Sequence, residues 1–488
     1  MKKGLNELGK VFNKDNINDY TYIIIIITMF LGVFIFFALV HPLVLFDGDD
    51  WYYIYNYRKP IPIWGDWNPA RVFPEVLMPL IGYLSAYIVL PFVHDYISSV
   101  AITCAFLLAS LTTLLVYKSS MVLNTLFDIG KNNAYLLGGF LVILHFAIFK
   151  TKMVDSTFLL IANDVAGYFF YVIPGLLNAL FVMRFLCDDK ANSLNNMSLS
   201  QRGYIIIFVY FSIFSNLFDS IILAAFSFSH IIVKFIIKDK QDSIKNVLSN
   251  NLSHLAILLL WLTTCVYELN GGRSGEIGKE VLPVFKTFEY FKVLVSQMDH
   301  TIGTTLVVAI ILSFVVYLKS VVHDKIDHNY FYSFFTIVSS MIITTTFLII
   351  VCAKSFPEYG GSAECVYGTF FYFLVLSILS VAYLIHKYPV VQSFLPMAVF
   401  LTFVISTNSL YPFVEPNQIN IPHHISMKIS RNFIDQVINA DKAGKNDIVL
   451  KVPAGDSKAP DNWPHPISCL GYRISHALFA HGDVLPIN

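Results

Sequence analysis

The 488-residue chain is 56% hydrophobic and only 14% charged, about half the charged fraction of an ordinary soluble domain. Its 33 Lys and Arg balance 33 Asp and Glu, so it carries no basic footprint for a nucleic-acid partner. Six cysteines without a CxxC or a paired-His spacing argue against a zinc module or a disulfide-built scaffold.

The apolar residues fall in blocks of about 15–23, matched to a hydrocarbon core of roughly 30 Å. The pattern predicts an all-α polytopic membrane protein with about eleven spans. Lys2, Lys3, Lys10 and Lys14 precede an apolar run from Tyr22 to Val40. No small-x-small cleavage site follows, so this run reads as an uncleaved first span. Further spans are expected near 98–117, 134–149, 165–186, 204–218, 220–237, 253–267, 302–318, 331–353, 365–385 and 391–407. Ser215, Asn216 and Asp219 interrupt the stretch 204–237, which reads as a tight hairpin, with one tilted helix as the alternative.

Residues 76–93 are also apolar, and their fate fixes the side of every later loop. Arg71, Pro74, Glu75, Pro79 and Pro91 frame them, which suits a helix lying at the interface. With that choice the inner segments hold 16 Lys and Arg in roughly 90 positions, and the outer loops without the tail hold 10 in roughly 120. The positive-inside rule then puts the N-terminus in the cytoplasm and the C-terminus outside. Residues 1–407 form the membrane domain, with a large first outer loop at 41–97, and 408–488 form an outer cap. In the cap, Ile425, Ile429, Phe433 and Val437 recur at helical spacing, and Asp447 to Val452 reads as a short strand. A small α/β region is expected there.

The sharpest motif is Asp47-Gly48-Asp49-Asp50-Trp51-Tyr52-Tyr53, directly after the first span. Acids crowded at a membrane surface repel, which raises the pKa of a desolvated member and lets it accept a proton from a substrate hydroxyl. The aromatics offer faces on which a sugar ring stacks. An Asp/Gly turn with an interfacial aromatic belt is the plainer alternative. Trp64, Asp66, Trp67 and Asn68 follow in the same loop. Arg71 could hold a phosphate bidentately or pair with Glu75 on the next turn. The second outer loop offers Lys150, Lys152, Asp155, Asn163 and Asp164, the last also placed to cap a helix. Residues 268–280 are Gly-rich, with Arg273 and Lys279 available to an anionic head group; the alternative is a plain surface loop. Cys352 and Cys365 flank an outer loop and read as two buried thiols, with a disulfide in an oxidising periplasm as the alternative. The tail histidines His423, His424, His465, His476 and His481 show no ligand spacing.

This layout of one span, an acidic motif at its outer end, a juxtamembrane helix, many spans and an outer cap resembles the GT-C class of membrane glycosyltransferases. Within that class it is similar to the phage-type, serotype-converting O-antigen glucosyltransferases (Gtr family). The resemblance covers the whole chain as architecture and rests at motif level on residues 46–55. It implies an inverting transfer of a sugar, glucose first, from a polyprenyl-phosphate donor to an O-antigen or related glycan on the periplasmic face of the bacterial inner membrane. It implies an acid of the first outer loop as base, which maps onto Asp49 or Asp50, with Asp47 the weaker match. It also implies a second acid, Asp155 or Asp164, and a basic residue near the donor phosphate, Arg71 or Arg273; Trp51 and Tyr52 are the aromatics expected against the sugar from their place in the motif. No organic cofactor is expected, and a divalent cation on the Asp-rich loop stays open. An O-antigen polymerase or ligase, and a lipid-linked sugar transporter or flippase, are the competing readings.

Overall fold

A computed structural model describes residues 14–61, 69–150, 156–187, 198–237, 244–269, 283–323, 327–407, 413–445, 447–452, 473–474, 477 and 483–486. Eight of the described helices are long and apolar enough to cross a membrane: Tyr20–Val40, Val72–Val93, Tyr96–Phe127, Val165–Cys187, Leu217–Ile236, His300–Val322, His328–Lys354 and Tyr367–Lys387. Leu199–Ile213, Leu252–Glu268 and Pro389–Ile405 are shorter and also apolar. The chain is a polytopic, helical membrane protein.

Helices Val165–Cys187 and Tyr367–Lys387 form the centre of the bundle, with 89% and 78% of their apolar windows buried. Around them the first helix exposes Ile24, Ile27 and Leu31, and the helix His300–Val322 exposes Val307, Val308, Ile311 and Leu312. Such continuous apolar flanks suit a lipid environment and would be costly in water. Where helices meet closely, small residues make the room. A Cβ at Gly138 would lie 2.7 Å from the Val116 carbonyl oxygen, and one at Gly368 would lie 2.7 Å from Ile222 and 2.8 Å from Thr344.

Specific contacts sort the helix termini into two ends. At one end, Leu126 meets Asn329, Asn133 meets Gln392, and Lys387 pairs with Asp327. The acidic motif marks the other. There Asp50 meets Ala166, Ser430 meets Leu45, Arg431 meets Asp95, and the Asp299 N–H meets the Ile148 carbonyl. The helix Val72–Val93 begins beside Phe214, through the Phe73 N–H, and ends just before Asp95. Both its termini therefore lie at the acidic end, despite a length sufficient to cross. Its middle packs on the first turns of the next helix, with Ser85 donating to Thr103 at 2.9 Å. The stretch 199–237 breaks into two helices, Leu199–Ile213 and Leu217–Ile237. At the break, Asn216 donates to the Phe170 carbonyl and accepts the Asp219 N–H.

The tail helix His423–Lys442 buries Ser426, Ser430, Phe433, Ile434 and Val437. The expected apolar stripe is rotated: Phe433 and Val437 face inward, whereas Ile425 is exposed. Ser430 takes the inward position because its hydroxyl donates to the Leu45 carbonyl at 2.6 Å. Asp447–Leu450 pairs in parallel with Asp483–Pro486.

Candidate functional site

The helix Gly48–Tyr53 is only six residues long, with Asp47 as its N-cap residue. Asp50 turns back on the loop that precedes it. Its Oδ2 accepts the N–H groups of Phe46 and Asp47, each at 3.0 Å, and its Oδ1 accepts the Ala166 N–H at 2.8 Å. Ala166 lies in the first turn of Val165–Cys187, so one carboxylate ties the first acidic loop to the start of a central helix. Burial pushes the Asp50 carboxyl well above its ordinary range, with Asp164 and Asp47 adding to the rise. The amides of Phe46 and Ala166 oppose it.

Asp47 is also fully buried, and its side chain closes a capping box with the Asp50 backbone N–H. Its Oδ2 accepts the Gln418 N–H at 3.4 Å, and its Oδ1 has no hydrogen-bond partner among the described residues. Burial, then the nearby Asp164, push its carboxyl up to about 8; the Gln418 amide pulls the other way and Asp49 adds to the rise. An unsatisfied buried acceptor costs stability, and such atoms are found where a ligand supplies the missing partner.

Asp164 caps its helix as its sequence position predicts: it accepts the Gly167 N–H at 2.5 Å. Its other oxygen accepts the Gln418 side-chain amide at 3.1 Å. The cap and the site are thus the same carboxylate. Glu364, just ahead of the helix Tyr367–Lys387, joins this group: burial, with Asp164 adding, pushes it up to about 7, against its own backbone amide. Four carboxylates from three chain segments, Asp47, Asp50, Asp164 and Glu364, therefore share one electrostatic neighbourhood.

Asp49 points elsewhere. It is partly exposed and pairs with Arg473 at 3.1 Å, and the Arg473 guanidinium lies over the Tyr52 ring, 5.2 Å from its centroid. Tyr52 is half-buried, with one face covered by this cation. Trp51, expected against the sugar, is fully buried in the core, because the short helix turns that side inward. Arg71 adopts a left-handed backbone (φ 62°) ahead of Val72–Leu84, a strained conformation for a bulky residue. Its guanidinium lies 5.5 Å from the Phe170 ring centroid, and Tyr53 packs edge-on against the same ring at 4.7 Å. Glu75 pairs with Arg58 instead, so the Arg71–Glu75 alternative does not form. Asp155, Arg273, Trp64, Asp66, Trp67, Asn68, Lys152 and Lys279 lie outside the described residues, as do His465, His476 and His481.

The segment after Phe413 closes over this group. Glu415 contacts His41 at 3.4 Å and His423 at 3.1 Å; burial alone would raise its carboxyl, and the two imidazoles outweigh that and hold it below its ordinary range. Lys150 places its ammonium 3.9 Å from the Phe413 ring centroid. Among the described residues no group of three His, Cys, Asp or Glu side chains has the arrangement to hold a metal ion. Cys352 and Cys365 are buried free thiols.

Sequence reasoning missed Glu364, Glu415, Gln418 and Arg473. Glu364 carried a usable signal, since it is an acid directly ahead of an apolar run. The other three sit in a polar tail where nothing local distinguishes them. Comparisons with family models, with curated proteins and with solved structures find no match to this chain.

Proposed function

We propose that this chain is an inverting membrane glycosyltransferase that moves a sugar from a polyprenyl-phosphate donor to an O-antigen or related surface glycan. The observation that carries the reading is Asp47: a buried carboxylate with one unpartnered oxygen, raised to about 8, grouped with Asp164 at one end of an apolar bundle. A base of that strength is poised for a hydroxyl near neutral pH. In the proposed step Asp47 Oδ1 takes the acceptor O–H proton as the oxygen bonds to the anomeric carbon. The bond from that carbon to the phosphate oxygen breaks, and the polyprenyl phosphate leaves with the electron pair. Arg71, without a carboxylate partner among the described residues and adjacent to Tyr53 through Phe170, is the cation proposed to face that phosphate.

This assigns the base to Asp47 in preference to Asp49 or Asp50. Both Asp50 oxygens already accept backbone N–H groups, and Asp49 is neutralised by Arg473. We further propose eleven membrane crossings, with Val72–Val93 lying along the interface, the N-terminus cytoplasmic, and the acidic end and tail periplasmic. The contacts that gather both ends of Val72–Val93 at the acidic end support that count. A donor confined to the bilayer reaches a site at this boundary at high local concentration.

The test is mass spectrometry of surface polysaccharide from cells that make a polyprenyl-phosphate sugar and an unmodified O-antigen. The wild-type chain is expected to add a hexose increment that Asp47→Asn abolishes at equal membrane expression. Net movement of the lipid-linked sugar across vesicles without any joined product would favour a flippase and overturn the reading. Chain lengthening or ligation in place of a single added hexose would favour the polymerase or ligase.

A further inference from the structure

We infer that Gln418 is a positioning residue that holds Asp47 and Asp164 as a working pair, one donor to each; this rests on the glycosyltransferase reading above. Its backbone N–H reaches Asp47 Oδ2 at 3.4 Å and its side-chain amide reaches Asp164 Oδ2 at 3.1 Å. The two acids come from different loops, and a single tail residue bridges them. Two carboxylates this close repel, so donors shared between them favour ionisation of both.

The turn that carries Gln418 is stitched in place. Val414 donates its N–H to the Ser156 carbonyl at 2.9 Å. The Glu415 N–H reaches Asn420 Oδ1 at 2.8 Å, Asn417 Nδ2 reaches the Ile421 carbonyl at 2.8 Å, and the Ile421 N–H reaches Asn417 Oδ1 at 2.9 Å. Asn420 takes the left-handed conformation, φ 51°, which asparagine tolerates better than most residues. Glu415, gripped by His41 and His423, anchors the turn to the end of the first span. A side chain mounted on such a turn is aimed before substrate arrives, the arrangement that transition-state positioning needs.

Residue type matters as well. A lysine or arginine here would neutralise the acids and weaken the base strongly, whereas a neutral amide orients them and lowers their basicity less. Both donors engage Oδ2 atoms, so Asp47 Oδ1 stays open for the proton. Gln418 itself is exposed, so it approaches the pair from the side open to an incoming acceptor.

The experiment uses the full chain in detergent with a polyprenyl-phosphate sugar and an acceptor glycan, and compares wild type with Gln418→Ala and Gln418→Glu across pH. Gln418→Ala is expected to lower kcat roughly tenfold, the loss of one charge-assisted hydrogen bond, with KM for the donor little changed. Gln418→Glu is isosteric and can donate only while protonated. It is expected to approach the wild-type rate at low pH and to fall away as its carboxylate forms against Asp47 and Asp164. A pH-independent loss in both variants, or no loss in either, overturns the inference. Should the wild type transfer nothing, the glycosyltransferase reading fails and a second measurement still decides Gln418. Carbodiimide-driven amine labelling, read by peptide mass spectrometry, is expected to reach Asp164 several-fold faster in Gln418→Ala. Equal labelling in variant and wild type overturns the inference.

Discussion

At the acidic end of the bundle, Asp47 keeps a buried oxygen without a hydrogen-bond partner among the described residues, near Asp164, which in turn neighbours Glu364. Toward the opposite end lies another buried polar group of a different character. His230 and His254 stack with ring centroids 4.1 Å apart. His230 contacts Tyr332 at 2.6 Å and Asn251 at 2.8 Å, and His254 contacts Ser227 at 3.1 Å. The histidine group can be neutral and pairs its nitrogens with neighbours on adjacent helices, which is how polar side chains join helices in lipid. The acidic group crowds like charges, leaves an acceptor unused and is roofed by a polar tail. One arrangement stabilises a fold and the other stores an electrostatic cost, the kind of perturbation that clusters at functional sites.

The sharpest way to break that contrast is Asp47→Asn. Loss of a general base is expected to reduce transfer by about 10²–10⁴-fold, read as the hexose increment at equal membrane expression, while His254→Phe leaves it within about twofold. Asp49→Asn retaining nearly full transfer would support the choice of Asp47; its loss of transfer would move the base to Asp49. Asp47→Asn also has a stability signature. The folded carboxyl titrates at about 8 against an ordinary 3.8, so the folded chain binds the extra proton between those values. The Asp47 contribution is therefore intact below about 3.8 and lost as pH rises through about 8. Melting of the detergent-solubilised variant is expected to depend less on pH over that window than melting of the wild type.

Next in size is the rate profile. In kcat/KM, transfer is expected to rise with pH up to about 8, as Asp47 loses its proton. Asp164→Asn removes the second cause of that rise and is expected to move the limb to lower pH. A limb that stays put would separate Asp164 from the base.

Asp50→Asn sharpens the comparison from the structural side. An amide nitrogen cannot accept from the backbone N–H groups of Phe46 and Asp47, so one or two of three hydrogen bonds are lost. The expected cost is about 1–3 kcal/mol, read as a lower Tm. His254→Phe is expected to cost less, about 1 kcal/mol, because the removed contact is to a neutral serine hydroxyl.

The smallest effect is expected at the tail. Arg431 pairs with Asp95 at 2.8 Å and donates to Ser98, but the pair is partly exposed and such bridges contribute at most about 1 kcal/mol. Arg431→Ala is expected to quicken protease cleavage after His423–Lys442 with little change in Tm.

Much of the architecture was legible because lipid imposes a simple code. Long apolar runs had to be helices, since no other unit satisfies its own backbone in a bilayer. The prolines around 76–93 pointed to a helix lying at the interface, and its length and apolar character also suit a crossing. The interruption at Ser215 and Asn216 pointed to two helices, and two are present. Asp164 was legible as a cap, and its cap geometry turned out to serve the acidic group as well. The separate fates of the aromatics were not legible. Trp51 and Tyr52 are neighbours in sequence, yet one is core and the other sits under Arg473, because a six-residue helix sends successive side chains about 100° apart.

The sequence by itself determined that this is a polytopic helical protein with an acidic motif after its first span. Those properties follow from composition and from spacing along the chain. Which acid keeps an open oxygen was decided only in three dimensions, where Ala166, Gln418 and Arg473 come from 116 to 424 residues away to satisfy Asp50, brace Asp47 and neutralise Asp49. Like residues side by side carry no mark of their partners. Burial and hydrogen bonding give each a different charge state, and these are properties of the packed bundle.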